Sequence, residues 1–313
     1  MDENALHQWF INCFGPVQGE MAFSQFNNLP EEIREQLLSH MGVWQLLRAH
    51  WSGRPARFFV GAVAVLLAVL VLMLPSAYVV ETPGPTQDVL GDSNGTPVIQ
   101  VEGAKTYHDK GRLLLVTVNA AGVPGYPVSN AEALWAWADP NMELTPQEAV
   151  FPVGQDAEQY QQESDQEMES SQDAAVTAGL DYAQRLGVDV DGAKVTMHVD
   201  DIGGPSAGMM YALGLVDMLT PEHESGKQTV AGTGTIDDEG KIGAIGGIDL
   251  KMRGAKRDGA TWFLAPADNC AQVVGKVPAG LRDVKVSSLE DAYTALVKIG
   301  NGQADSLPHC TVE

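Results

Sequence analysis

The sequence predicts an α+β fold behind a single transmembrane helix, and three observations carry that prediction. Phe58 to Leu74 is apolar without interruption. From Val98 onward, strand and helix patterns follow one another without regular βαβ order, and no segment repeats. At 313 residues, 44% of them hydrophobic, the chain has room for one or two domains with a core. A net charge of −22 argues against a nucleic-acid partner, because phosphate contacts need clustered Lys and Arg.

The apolar run and its continuation to Val80 divide the chain. Residues 1–57 form an N-terminal segment and 58–80 the membrane span. Residues 81–190 and 191–300 form the two parts of a domain, and 301–313 a loose tail. Seventeen to twenty-three helical residues at ~1.5 Å each cover about 25–35 Å, enough for a bilayer core of roughly 30 Å. Arg48, Arg54 and Arg57 precede the span, whereas Glu81, Asp88 and Asp92 follow it. The bias places the N-terminus in the cytoplasm and residues 81–313 outside, as a single-pass protein of the cell membrane. A cleaved signal peptide is the rival reading, and a start at Met41 would favour it. Only four of the 19 Lys and Arg lie in residues 1–80, so the outer part is strongly acidic. Cys270 and Cys310 fall in an oxidising compartment, either bridged or as two thiols. A bridge across their forty-residue separation is worth ~4 kcal/mol in the chain-entropy model.

Within residues 1–57 the spacing of Leu37, Leu38, Met41, Trp44 and Leu47 predicts one amphipathic helix over Pro30 to His50. Glu81-Thr82-Pro83-Gly84-Pro85-Thr86 must be extended or turning. Strands are expected at Val98–Val101 and Leu113–Val118, an irregular stretch over 120–164, and a helix from Asp165 to Leu186. Lys194–Val199 follows as a strand, Ser206–Leu219 as a buried helix and Thr229–Ile236 as a strand ending in a turn at Asp237–Gly240. Asp249–Asp258 reads as a helix, Trp262–Ala265 as a strand, Asp268–Gly275 as a short helix and Val284–Val286 as a strand. Ser287-x-x-Glu290 fits a capping box for a last helix through Leu296.

Chemistry concentrates in two glycine-rich turns. In Gly204-Pro205-Ser206-Ala207-Gly208 a serine opens a helix, where outward N–H groups can receive an oxyanion and the flanking glycines admit a peptide. The competing role for Ser206 is a simple helix cap. Lys251, forty-five positions later, follows Gly246-Gly247-Ile248 in the first turn of another helix. A lysine of ordinary pKa, about 10.4, is neutral in roughly one molecule in 2,500 at pH 7. To serve as a base it must be desolvated enough to lower that value by ~3, at a cost of about 4 kcal/mol. The apolar helix after Ser206 is a neighbour able to impose this.

GGPSAG, followed by AGTGTID and then IGGIDLK, resembles the proteolytic domain of the Lon family of serine peptidases. The resemblance implies a Lon proteolytic-domain-like fold with Ser206 as nucleophile and Lys251 as base. It also implies that Thr233 lies in the active site and that the domains assemble as a homo-oligomeric ring. Weaker similarity in KGRLLLVTV and SQDAAVTAGLDYA extends it over roughly 97–299. A membrane segment followed by VVETPGPT resembles the membrane-anchored, ATP-independent branch of the family. Classical members carry an acidic residue where this chain has Gly203. The anchored branch normally holds a PDZ domain between Leu186 and Lys194, where this chain has only GVDVDGA.

No GxxxxGK[ST] occurs; Gly234 to Lys241 has the wrong spacing, with Ile242 where a hydroxyl is required. Neither HExxH nor CxxC spacing suggests zinc, and no cofactor is expected. The expected activity is an ATP-independent serine endopeptidase acting on polypeptide substrates, flexible segments of exported or membrane proteins. Two alternatives compete with it. One is a catalytically weak binding or assembly protein of the same fold. The other is a GxSxG α/β-hydrolase using His223 or His309, whose expected strand–helix alternation is missing upstream. His198, on the strand before the serine, is expected to be exposed.

Overall fold

The computed structural model describes residues 3–40, 55–108, 110–152, 154–199, 202–221 and 225–311. The chain divides into two units, one ending at Met73 and one spanning Leu74–Glu313.

In the first unit, α1 (Glu3–Phe14) and α2 (Pro16–Asn27) form a hairpin that sequence periodicity did not reveal. Phe10 meets Phe23 and Phe26 across it, at ring centroids 5.9 and 5.4 Å apart. Of the amphipathic helix expected over Pro30 to His50, Glu31–His40 forms α3, while Met41, Trp44 and Leu47 lie outside the described residues. α4 (Ala56–Met73) is the apolar helix, with mean hydropathy 2.6 and none of it buried by protein. Eighteen residues reach about 27 Å. The helix stops at Met73 rather than Val80, because Pro75 cannot continue it and Tyr78–Val80 enter a strand.

The second unit is built on a six-stranded mixed sheet of order β12-β11-β8-β5-β1-β6. Its strands are β1 (Tyr78–Asp88), β5 (Arg112–Ala121), β6 (Glu143–Pro146), β8 (Thr229–Gly232), β11 (Trp262–Pro266) and β12 (Arg282–Val286). β5, β8, β11 and β12 run parallel, while β1 is antiparallel to β5 and to β6. β2 (Asp92–Ser93) pairs with β3 (Thr96–Pro97), and β4 (Ile99–Glu102) with β7 (Lys194–Met197). β9 (Thr235–Ile236) and β10 (Ile242–Gly243) make a third small ribbon.

Strand alternation builds two cores from the same strands. Leu113, Leu115, Val230 and Leu264 face one core with α6 (Ala157–Arg185), α7 (Gly208–Leu219) and α10 (Leu289–Gly300). Leu114, Val116, Ala231 and Phe263 face the other, against Ile248, Met252 and Ala255 of α8 (Ile248–Arg257) and Val273 of α9 (Cys270–Val273). A sheet covered on both faces explains why β11, Trp262–Pro266, is buried throughout.

Several expectations shift in register or extent. The stretch 120–164 holds α5 (Asn130–Ala138) and β6, and α6 begins at Ala157, well before Asp165. Capping boxes start both helices, Ser129 with Glu132 and Asp156 with Gln159. The last helix is capped by Ser288, which accepts from the Asp291 N–H, rather than by Ser287. Of the expected loose tail over 301–313, the described residues 301–311 are ordered against the domain. Cys310 is bridged to Cys270, the Lys285 N–H donates to the Pro308 carbonyl at 2.8 Å, and Leu307 is buried. Where a PDZ domain was in question, the Val188 N–H bonds the Ala183 carbonyl at 3.0 Å and the chain passes directly into β7.

Candidate active site

Gly204 adopts φ 81°, a conformation that costs a residue with a Cβ roughly 1–2 kcal/mol, and turns the chain into a single 3₁₀ turn over Pro205–Ala207. Ser206 sits at the middle of that turn, half-buried, immediately before α7. The turn is tied from both sides. Ser171 Oγ of α6 donates to the Pro205 carbonyl at 3.0 Å. The Ser206 carbonyl accepts from the Gly234 N–H at 2.9 Å and from Thr233 Oγ1 at 3.0 Å. These bonds explain why the strand expected over Thr229–Ile236 breaks at Thr233 and Gly234. The Thr233 N–H still donates to the Leu264 carbonyl of β11 at 3.3 Å, but its hydroxyl and the Gly234 N–H turn to the serine's backbone, and the ladder ends there.

Gly247, in the left-handed region at φ 64°, starts α8 and places Lys251 one turn later, its N–H bonded to the Gly247 carbonyl at 3.0 Å. A Cβ on Gly247 would lie 2.9 Å from Val118 Cγ1, so glycine also permits the approach of α8 to β5. The Lys251 side chain is 3% exposed and its Nζ donates to Thr233 Oγ1 at 3.3 Å. Burial lowers its pKa from the ordinary 10.5 to about 8, against the opposing pull of the Glu81 carboxylate. Thr233 is fully buried and joins the two candidate residues: its oxygen receives the lysine's N–H while its proton goes to the serine's carbonyl.

Ser206 and Lys251 line one cavity of about 130 Å³ with Pro85, Thr117, Asn119 and Gly203. Gly203, where an acidic residue was a point of comparison, abuts the Ser164 hydroxyl, which would have to turn away to admit a side chain there. Ala207 is buried behind the turn.

The sequence did not single out the opposite wall. Pro85 lies in a bulge of β1, where pairing with β5 shifts between Pro83 and Thr86. β6 pairs only with Tyr78–Glu81, so both prolines fall where β1 has one free edge, the position that tolerates a missing N–H. The C-terminal end of α8 clamps this bulge. Arg257 donates to the Gly84 carbonyl at 2.7 Å and to the Pro83 carbonyl at 3.3 Å. Glu81 stands beside Glu143 in the β1–β6 register. Its pKa is raised, first by burial and then by Glu143, while Lys251 pulls it down. Alternation of apolar residues could not find this wall; only the extended VETPGPT string hinted at it.

His309 of the hydrolase reading is held elsewhere. Its Nδ1 donates to the Asp283 carbonyl at 2.6 Å, and it does not line the cavity. His223 lies outside the described residues.

A mixed sheet presenting a helix-opening serine and a buried lysine in one cleft defines the class: a serine-type peptidase domain. Comparison with known proteins agrees. Residues 136–298 match the family described as the Lon protease (S16) C-terminal proteolytic domain, and the chain belongs to that family. It is 36% identical over 127 residues to the Lon protease of Xanthomonas oryzae pv. oryzae, a match covering 38% of this chain and 15% of that protein. It is 32% identical over 123 residues to Lon protease 1 of Bacillus subtilis, covering 37% of this chain and 16% of the relative. A longer match, 28% over 166 residues, joins it to the Lon protease of Buchnera aphidicola subsp. Schizaphis graminum, covering 50% and 21%. The chain therefore spans only a small part of the length of these relatives.

Proposed function

We propose that this protein is an ATP-independent serine endopeptidase working through a Ser206–Lys251 dyad. It is anchored by Ala56–Met73, with its catalytic domain outside the cytoplasm. The observation that carries the reading is the buried amine of Lys251, held through Thr233 to the backbone of Ser206 in a shared cavity. With a pKa of about 8, roughly one lysine in ten is neutral at pH 7, against about one in 3,000 at 10.5.

Ser206 Oγ attacks the scissile carbonyl while Lys251 Nζ takes its proton, then returns it to the leaving amine. Water hydrolyses the acyl-enzyme by the same relay. The Thr233 proton is committed to the Ser206 carbonyl, so Thr233 accepts an N–H from the lysine and leaves the Nζ lone pair for the serine. Backbone N–H groups of Ser206 and Ala207, at the start of the helix, receive the oxyanion. The substrates are flexible or unfolded segments of exported or membrane proteins. ATP independence is supported by Gly234–Lys241, the nearest approach to a phosphate loop. That stretch forms β9 and a reverse turn closed by the Gly240 N–H to Asp237 carbonyl bond, not a cradle opening a helix. Assembly into a homo-oligomeric ring rests on the family relation.

The test is casein cleavage by the full chain in detergent without nucleotide. The dyad predicts loss in both Ser206→Ala and Lys251→Ala, with His309→Ala near wild type. Activity surviving Lys251→Ala but lost in His309→Ala would favour the hydrolase reading. No turnover by any form would favour a silent scaffold.

A further inference from the structure

The least explained surface lies on α5. Leu134, Trp135 and Trp137 are 58%, 66% and 81% exposed, on a helix of nine residues whose other face buries Ala133 and Ala136. Ala131, Leu134, Trp135 and Ala138 recur at i, i+3, i+4 and i+7, so they form one outward stripe, flanked by Trp137. The helix carries one charged residue, Glu132, whose carboxylate is occupied at 2.8 Å by the Ser129 N–H and hydroxyl. Two exposed tryptophans on either side of Leu134, with no protein partner among the described residues, call for an occupant.

Chain connectivity supplies it. The residues directly after α4 are stapled to the start of α5. The Asn130 N–H donates to the Leu74 carbonyl at 3.0 Å, the Ser76 N–H to the Val128 carbonyl at 2.8 Å, and Pro75 forms a β-bridge with Ser129. If Ala56–Met73 spans a bilayer, as the proposed function holds, the chain leaves the lipid one residue before these bonds. The α5 stripe is then fixed at headgroup depth, where tryptophan is enriched because its ring is apolar and its N–H finds a polar partner.

We infer that α5 is an interfacial docking helix. Leu134, Trp135 and Trp137 insert into the headgroup–acyl boundary of the membrane in which α4 is embedded, fixing the peptidase domain's distance and tilt above the lipid. This inference rests on the membrane-anchored reading of α4. The helix has no Lys or Arg and the domain around it is acidic, so insertion is driven by apolar contact rather than by anionic lipid.

The test uses the full chain reconstituted in phosphatidylcholine vesicles, with or without bromine in the upper acyl chain. Tryptophan emission of wild type minus that of a Trp135→Phe/Trp137→Phe variant isolates the two indoles. Bromine should reduce this difference about twofold or more, equally when phosphatidylglycerol is included. A difference untouched by bromine overturns the inference. So does one that changes only with protein-to-lipid ratio, which would assign the face to a second copy of the chain. Alkaline carbonate extraction separates the two readings. A chain kept in the membrane but unquenched refutes interfacial docking alone. A chain released and unquenched refutes the anchor and the docking together, and release with quenching retained supports docking without a span.

Discussion

Lys251 Nζ lies 3.3 Å from Thr233 Oγ1, and that hydroxyl lies 3.0 Å from the Ser206 carbonyl. The threonine thus links two turns from distant parts of the chain and holds the amine beside the serine's backbone. On the proposed dyad, the charge state of this buried lysine rather than its position is the variable that sets activity.

With a Lys251 pKa of about 8, kcat/KM for a fluorogenic peptide should rise about tenfold per pH unit below that value and level off above it. A profile flat between pH 6 and 9, or one governed by a group titrating near 6.5, would assign the base elsewhere.

Glu81→Gln should move this profile to lower pH. The Glu81 carboxylate favours the charged lysine, so removing it leaves burial unopposed and frees the amine earlier. A move toward higher pH would contradict the role given to this carboxylate.

Thr233→Val removes the acceptor that holds the amine and the hydroxyl that holds the Ser206 carbonyl. We expect kcat to fall about 10²-fold with KM little changed, and Thr233→Ser to restore most of it. Equal loss in both variants would mean that packing, not the hydroxyl, is what Thr233 supplies.

The two turns that bring Ser206 and Lys251 into one cavity were legible in the sequence because glycine marks both. Gly204 and Gly247 take left-handed backbone that other residues avoid, and each stands just ahead of a candidate catalytic side chain. The β1 wall was not legible, because Pro83 and Pro85 read as strand breakers, and only the pairing pattern shows that they occupy an edge and a bulge. The strand break at Thr233 depends on bonds to Ser206, twenty-seven positions away, which no local propensity encodes. Likewise Leu307 to Cys310 reads as tail by composition, yet the bridge to Cys270 and bonds to β12 hold it. α5 was hidden by its flanking prolines and its exposed tryptophans, which contradict the usual inward stripe.

Burying Lys251 should also weaken the fold. Its pKa falls from 10.5 unfolded to about 8 folded, so the unfolded chain binds more protons between those values and stability rises with pH across that window. Below pH 8 the full penalty applies, on the order of 3 kcal/mol. Lys251→Met should therefore stabilise the protein at pH 7 by about 1–2 kcal/mol after the lost Thr233 bond, while abolishing cleavage. Thermal unfolding at pH 7 checks this; a lower Tm for the methionine variant would show that the amine is not paying a burial cost.

The most direct test of the account is acylation of the full chain by a peptide β-lactone, followed by intact mass and peptide mapping. Ser206 Oγ should open the lactone and gain its whole mass, with no label in Ser206→Ala and a rate reduced about 10³-fold in Lys251→Ala. Label on another residue, or unchanged labelling of Ser206 without the Lys251 amine, would contradict it.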